Sequence, residues 1–230
     1  GKNSKERLPW EVAKNTIDYI LDHEYEFLEE SVVWDFIGGE PFLEIDLIDQ
    51  ICDYIKAEMF RLNHHWFNSF RFSFSTNGIN YDSEKVQRFI QKNRNHLSIG
   101  ITIDGTREKH DLNRIWKTKD GFSPKSEEEK GSYDDVVRNI PLWLKQFPDA
   151  STKVTISSAD IKYIKDSVLH LYSLGIHEVH INVVFEDVWE EGDDKRFEEQ
   201  LIQLADAIID GEYYTDYTCS FFSENLGKPL

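Results

Sequence analysis

Cysteine is nearly missing from this chain, and its scarcity excludes a disulfide framework. Only Cys52 and Cys219 occur among 230 residues, whereas small disulfide-stabilised domains carry several closely spaced cysteines. Two distant thiols are also too few for an iron–sulfur cluster, which needs about four thiolates, or three with the help of a cofactor. Cys52 falls on the apolar face of a predicted helix, so we interpret it as a core residue.

Basic residues and long apolar runs are scarce as well. Lys and Arg number 26 against 43 Asp and Glu, which gives a net charge of −17. This balance argues against nucleic-acid or anionic-membrane partners, which need a basic patch, and is compatible with a basic or neutral peptide. No stretch approaches the roughly 20 apolar residues of a membrane span. Residues 1–6 lack the apolar region of a signal peptide, so the cytoplasm is the expected location.

Apolar and aromatic residues are present in amounts typical of a folded chain, and one stretch organises the rest. This stretch is Val32–Leu43, in which an apolar run stops at Gly38-Gly39-Glu40-Pro41. A segment with helical periodicity follows near Asp46. Paired glycines permit close approach to the backbone, and the proline restricts Glu40 to an extended conformation. An ordinary strand-to-helix turn is the alternative. A carboxylate held beside bare backbone suits a ligand that carries an ammonium group.

The rest of the chain alternates strands with amphipathic helices. A helix begins after Pro9, and each strand is then followed by a helix, which predicts an α/β fold with parallel strands and right-handed crossovers. We expect helices to cover the strands in an open or partial barrel, with residues 117–132 forming a surface loop. The segment after residue 212 is polar-aromatic and predicted to be irregular. The strands are predicted to end, in sequential order, near Gly38, Thr76, Asp104, Ser157 and Phe185.

Polar residues follow these strand ends, where α/β sheets assemble their sites. A ligand made of an amino acid and a nucleoside needs an acid for its ammonium, a cation for its carboxylate and an acceptor for its ribose. Glu40, Arg114 and Asp104 are candidates for these three roles, respectively. A rim arginine is more often a surface charge. His64-His65 suggests a metal site, but adjacent side chains diverge on a helix or strand, so a solvated loop is favoured.

The motifs occur in an order that resembles a known family. Gly-Gly-Glu-Pro at 38–41 is followed by Ser-Thr-Asn-Gly at 75–78, Ile-Thr-Ile-Asp-Gly at 101–105 and His-Asp-Leu-Asn-Arg at 110–114. This order resembles radical S-adenosylmethionine enzymes of the SPASM-containing branch, which includes sulfatase and peptide maturases. The stretches 131–137 and 182–189 look most similar to maturases that form thioether crosslinks in cysteine-rich peptides. The resemblance runs from about Leu8 to Leu230.

The resemblance implies a cofactor, a fold and partners. It implies S-adenosylmethionine, a partial (β/α)6 TIM-like barrel with the first strand missing in residues 1–212, and the start of a linker toward an auxiliary-cluster region in 213–230. A ribosomally made precursor peptide and an electron donor such as flavodoxin or ferredoxin would be the partners. Thr102 and Asp104 would face the ribose, Asn77 and Arg114 the polar end of the cofactor, and Val183 the adenine. Gly38, Gly39 and Glu40 would hold the methionine amino group.

One departure from the family concerns the cluster. The family holds a [4Fe–4S] cluster on a Cys-x-x-x-Cys-x-x-Cys loop, which this sequence lacks. The resemblance leaves two interpretations of Cys219 open, a stray thiol or the edge of an auxiliary-cluster region. We therefore expect no metal ligands and no identifiable catalytic residue in these 230 residues. The chain would then be the central part of a longer enzyme and inactive alone. A cluster-free peptide- or nucleoside-binding barrel is the alternative. A third possibility, an iron-free barrel enzyme, is disfavoured because no acid–base or nucleophile–base set stands out.

Overall fold

The computed structural model describes residues 7–115, 131–186 and 188–222. Within these ranges the helices are α1 (Trp10–Asp22), α2 (Ile45–Arg61), α3 (Glu84–Asn93), α4 (Arg107–Asn113), α5 (Tyr133–Val137), α6 (Ile140–Gln146), α7 (Ile164–Ser173) and α8 (Asp193–Asp210). The strands are β1 (Val32–Phe36), β2 (Phe70–Thr76), β3 (Leu97–Ile101), β4 (Ser151–Ile156), β5 (Glu178–Val183) and β6 (Thr218–Cys219). The predicted alternation of strands and helices is confirmed.

The chain divides into two compact units, and the first contains residues up to Ser75 together with Ser83–Ser98. Its core is formed by the apolar faces of α1 and α2, on which Ile17, Ile51 and Ile55 are buried. Cys52 is 0% exposed, which confirms its interpretation as a core residue. Burial raises the pKa of its thiol because the thiolate would be poorly solvated there.

The first sheet has the order β1-β2-β3. β1 runs parallel to β2, with a register from Val32 opposite Phe70 to Phe36 opposite Phe74. The rings of Phe36 and Phe74 stack with centroids 4.8 Å apart. The stacked rings therefore pack the last residue of β1 against β2.

The second unit contains Thr76–Asp82 and the residues from Ile99 onward. Its sheet has the order β4-β5-β6, and both pairs are parallel. The register of β4 and β5 runs from Ser151 opposite Glu178 to Ile156 opposite Val183. Val154, Ile164, Val168 and Leu171 are each 0% exposed and form the core between this sheet and α7.

Three expectations need correction. One continuous sheet was predicted, but the described strands form two three-stranded sheets, so the single partial barrel is not confirmed. The Oγ1 of Thr152 lies between β3 and β4, where it accepts from the Ile103 N–H at 3.3 Å and donates to the Ile101 carbonyl at 2.7 Å. The Thr152 hydroxyl thus forms hydrogen bonds with the Ile101 carbonyl and the Ile103 N–H, two backbone groups that are then not available to pair with a neighbouring strand.

The other two corrections concern β5 and the end of the chain. The strand that was predicted to end near Phe185 ends at Val183. Asn182 within it is exposed, and Phe185 beyond it is 100% exposed. The segment after residue 212 was expected to be irregular, but Thr218–Cys219 pairs with β5. A two-residue strand carries no periodicity that a sequence could reveal.

Some predictions fall on residues outside the described ranges. Residues 117–130 of the predicted surface loop, Asp187, and 223–230 of the predicted linker lie there. The ends of the loop are described, and Ile115 and Gly131 form an antiparallel bridge. The domain boundaries at 1–212 and 213–230 stay predictions. Among the helices of the described ranges, none has the length and apolar character needed to cross a membrane.

Candidate functional site

The Gly38-Gly39-Glu40-Pro41 turn follows β1 in the first unit. Gly38 has a φ of 132°, a conformation that favours glycine. Glu40 is extended, with φ −98° and ψ 109°, as the following proline predicts, and its Oε1 accepts from the Phe42 N–H at 3.1 Å. A Cβ placed on Gly38 or Gly39 would meet no heavy atom within 4 Å. Packing therefore does not explain Gly39, whereas open space beside the backbone fits the approach of a ligand.

Asn77 organises a turn in the second unit. Its Oδ1 accepts from the Ile79 N–H at 3.0 Å, which closes an Asx-turn after β2. Gly78 has a φ of 74°, and its carbonyl accepts from the Asn139 Nδ2 at 2.8 Å. The asparagine therefore shapes the loop, a role that the sequence interpretation did not assign.

Asp104 and Arg114 are brought together in the second unit. The Asp104 carboxylate is buried, and Arg114 donates to it through Nε on Oδ2 and through Nη2 on Oδ1, the latter at 3.4 Å. Thr102 is half-buried nearby in the chain, and its N–H donates to the Thr76 carbonyl at 2.9 Å. The sequence analysis assigned these two charged groups to different parts of a ligand. In the structure each of them also neutralises the charge of the other.

A hydrogen-bonded chain through His110 holds this pair in place. The Asp104 N–H donates to Nδ1 of His110 at 3.2 Å, so the ring proton resides on Nε2, 3.0 Å from the Ser132 Oγ. Ser132 Oγ in turn donates to the Arg114 carbonyl at 2.8 Å. Each donor in this series of hydrogen bonds faces an acceptor. The series thereby links the Asp104 N–H to the Arg114 carbonyl.

Burial sets the charge state of His110. The side chain is 0% exposed, and desolvation lowers its pKa to about 4, although the Asp104 carboxylate acts in the opposite direction. The imidazole is therefore neutral at pH 7, as the hydrogen-bonded chain requires. His110 and Ser132 lie inside motifs that carry the family resemblance, but residue types alone assigned neither of them a role.

Lys109 is a further residue that the sequence interpretation missed. It is 1% exposed, and its Nζ donates to the Thr155 carbonyl at 2.8 Å and lies 3.4 Å from the Asp160 Oδ1. Asp160 also accepts from the Ser157 N–H at 3.0 Å and Oγ at 2.6 Å. The lysine thus ties α4 to the carboxyl end of β4. Because lysine is almost never fully buried unless paired, only the tertiary structure reveals this role.

Val183 lines a cavity at the carboxyl end of β5. The cavity has a volume of about 610 Å³, and Trp189 and Phe197 contribute aromatic walls. The Trp189 Nε1 donates to the Val184 carbonyl at 3.0 Å, which holds the indole beside the strand end. The acidic residues Glu190, Glu191, Asp193 and Asp194 also line the cavity. Aromatic walls beside polar groups suit a flat, partly apolar ligand. A second cavity, of about 510 Å³, is lined by Ser157, Lys162 and Arg196.

The predicted site residues fall in both units. Gly38, Gly39 and Glu40 belong to the first, whereas Asn77, Thr102, Asp104, Arg114 and Val183 belong to the second. The contact between Asp104 and Arg114 is observed. The convergence of Glu40 on these two residues stays a prediction.

The chain is similar in sequence to two curated proteins. It is 26% identical over 184 residues to an uncharacterized protein of Methanocaldococcus jannaschii, which covers 80% of this chain and 55% of that protein. It is 28% identical over 129 residues to the cysteine-type anaerobic sulfatase-maturating enzyme of Clostridium novyi, which covers 56% of this chain and 30% of the enzyme. The chain thus spans about half the length of the first relative and about a third of the second. No family model matches it.

Solved structures share the fold. Native anSMEcpe with bound AdoMet and Kp18Cys peptide aligns with a TM-score of 0.69 and 18% identity, covering 96% of this chain and 57% of that chain. Streptococcus suis SuiB bound to the precursor peptide SuiA aligns with a TM-score of 0.54 and 13% identity, covering 95% and 44%. At these identities the likeness is one of fold, namely parallel strands covered by helices.

Proposed function

We propose that this chain is the S-adenosylmethionine-binding core of a radical S-adenosylmethionine peptide maturase. The observation that carries the proposal is the ion pair between the buried Asp104 and the partly exposed Arg114, which His110 and Ser132 hold in the segment after β3. Support comes from the motif order, from the fold shared with anSMEcpe in its AdoMet-bound form, and from a relative named a sulfatase-maturating enzyme. The likeness to structures with bound peptides favours a peptide as substrate.

The residues of both units fit the parts of this cofactor. The open backbone of Gly38-Gly39 and the Glu40 carboxylate suit its ammonium group, and the Arg114 guanidinium suits its carboxylate. Asp104 orients Arg114 and keeps acceptor capacity for a ribose hydroxyl, because a carboxylate has about four lone-pair sites. The cavity beside Val183 suits an adenine ring. When bound, the cofactor supplies the radical chemistry, while this chain binds and orients it.

An iron–sulfur cluster does not fit the residues of this chain. Cys52 and Cys219 are both buried, and burial raises the pKa of each thiol, to about 11 for Cys219. A cluster needs exposed or preorganised thiolates, about four in number. We therefore propose that any [4Fe–4S] cluster is ligated by residues of a longer protein and that these 230 residues alone bind no iron.

The finer proposals concern the substrate and its setting. We propose a ribosomally made, cysteine-rich precursor peptide, in which a thioether forms between a cysteine sulfur and a carbon. An auxiliary-cluster region of SPASM type and an electron donor such as flavodoxin or ferredoxin would complete the cytoplasmic system. The missing cysteine loop favours a second candidate, a cluster-free peptide- or nucleoside-binding module. A triple-cysteine motif in the coding sequence flanking this region would decide for the enzyme.

Titration calorimetry with S-adenosylmethionine tests the binding role. We expect Glu40→Gln and Asp104→Asn each to weaken binding by about 1.5–3 kcal/mol, the usual contribution of a hydrogen bond to a charged group. Glu108→Gln is the matched control: this carboxylate accepts from the Tyr163 OH at 2.6 Å, which glutamine still allows. Equal affinities of the wild type and Glu40→Gln would mean that the glycine turn is only a turn.

A further inference from the structure

A cluster of nitrogen and oxygen ligands lies in the first unit, away from every residue assigned above. It consists of Glu24, which begins a short turn after α1, and of His64 and His65, which follow the end of α2. The donor atoms of these three side chains lie within 4.8 Å of one another. The sequence interpretation favoured a solvated loop here because adjacent side chains diverge on regular elements.

The backbone at this point is neither helix nor strand. His64 is extended, with φ −66° and ψ 140°, and His65 opens a 3₁₀ turn over His65–Asn68. Asn63, just before, has a φ of 49°. As a result the two imidazole rings stack with centroids 4.7 Å apart and an interplanar angle of 19°. The argument against a metal site therefore does not apply to this geometry.

The surroundings of His65 call for a positive centre. Its Nδ1 lies 2.6 Å from the Glu24 Oε1 and its Nε2 lies 3.0 Å from the Glu29 carbonyl, so both ring nitrogens face acceptors. A neutral imidazole has only one N–H. The Glu29 carbonyl is fixed by a second donor, the Trp66 Nε1 at 2.8 Å, and takes the Nε2 proton. Nδ1 faces the Glu24 carboxylate, and either a second ring proton or a cation bound between the two atoms satisfies this contact.

His64 supplies an independent observation. Its side chain is 3% exposed, and Nε2 is buried without a hydrogen-bond partner among the described residues. Nδ1 receives a single 3.2 Å bond from the Trp66 N–H. Buried polar atoms are nearly always paired. Ligation through Nε2 would give this atom a partner. The ring proton would then lie on Nδ1, and the 3.2 Å bond from the Trp66 N–H would be lost.

We propose that Glu24, His64 and His65 form a zinc site, with water in the fourth position. Two imidazoles and a carboxylate suit Zn²⁺, whereas Ca²⁺ and Mg²⁺ prefer ligand sets made of oxygen. Zinc bonds of about 2.1 Å in a tetrahedron place ligands roughly 3.4 Å apart. A separation at the 4.8 Å limit therefore has to shorten by about 1.4 Å, and the 2.6 Å contact between His65 Nδ1 and Glu24 Oε1 has to lengthen by about 0.8 Å. Glu24 and His65 are exposed side chains that can move toward the buried His64. The ion would join the turn after α1 to the end of α2.

The test titrates Zn²⁺ into the metal-free 230-residue chain in competition with a chromophoric chelator. We expect one equivalent to bind to the wild type, and Glu24→Gln and His65→Gln to weaken binding by at least about tenfold. Both side chains are exposed, so the variants retain the fold, which circular dichroism checks. His180→Gln is the matched control. His180 pairs with Glu178 at 2.9 Å, but it belongs to no group of three metal ligands among the described residues. The zinc affinity of this variant should therefore equal that of the wild type.

Three results would overturn the proposal. These are the lack of saturable binding by the wild type, equal affinities of the wild type and the two cluster variants, and sulfur in the zinc coordination shell measured by X-ray absorption. A rise of Tm with Zn²⁺ in the wild type and the control, but in neither cluster variant, would support it. The outcome is independent of the cofactor proposal, because no residue is shared between the two sites.

Discussion

The two units place their charged residues differently. In the first unit, Lys92 lies on the surface between Asp49 and Asp53, at 2.8 and 2.6 Å, and each of these side chains is at least a third exposed. In the second unit, Asp104, Lys109, His110, Ser132 and Asp160 are buried and bonded to one another or to backbone. Exposed pairs are screened by water, whereas buried polar groups cost stability unless each is satisfied. The buried network of the second unit therefore fixes the positions of its side chains, whereas the exposed pairs of the first unit chiefly contribute charge to the surface.

Removal of Lys109 should have the largest effect on stability. Lys109→Met leaves the buried Asp160 without its cation and the Thr155 carbonyl without its donor, so we expect a loss of about 3–5 kcal/mol in the free energy of unfolding. Urea denaturation measures it. The double variant Lys109→Met with Asp160→Asn should recover part of the loss, because no unpaired charge remains. A loss under about 1 kcal/mol for the single variant would show that the buried network does not fix α4.

His110 should make stability depend on pH. Its folded pKa of about 4 lies below the roughly 6.5 of an unfolded histidine, so the unfolded chain binds the proton first as the pH falls. Stability is complete above about pH 6.5 and falls by about 3 kcal/mol as the pH decreases from about 6.5 to 4. Burial also lowers the pKa of His64 and His170, which act in the same direction. The measurement is therefore the difference between wild type and His110→Asn, whose slope over this range should be smaller; equal slopes would contradict the buried neutral ring.

Removal of Lys92 should have the smallest effect. Lys92→Gln keeps much of the alkyl stem and removes the charge from two exposed pairs, so we expect a loss below about 1 kcal/mol that disappears in high salt. Thermal unfolding at two salt concentrations measures it. A loss as large as that of Lys109→Met, insensitive to salt, would remove the contrast between the two units.

What the sequence could predict follows from the range of the interactions involved. Five of the strands and the helices other than α4 follow from local periodicity, and the extended Glu40 follows from Pro41, its neighbour in the chain. The Asp104–Arg114 contact was expected only as a shared site, because the two residues are ten positions apart in the sequence and a helix lies between them. The bond from His110 to Ser132 spans 22 residues and depends on tertiary packing. The burial of Lys109 contradicts the usual preference of lysine, so no local pattern could reveal it.

The hydroxyl of Thr152 has a consequence for sequence variation. Ile101 and Ile103 are 1% and 0% exposed, and this one oxygen partners the carbonyl of the former and the amide of the latter. Valine has nearly the same shape but would leave both backbone groups unsatisfied. Homologous chains with the same split between the sheets should therefore retain a hydroxyl at this position, whereas those with an unbroken ladder between the strands are free to carry a branched aliphatic residue. One column of a future alignment would thus distinguish the two sheet arrangements.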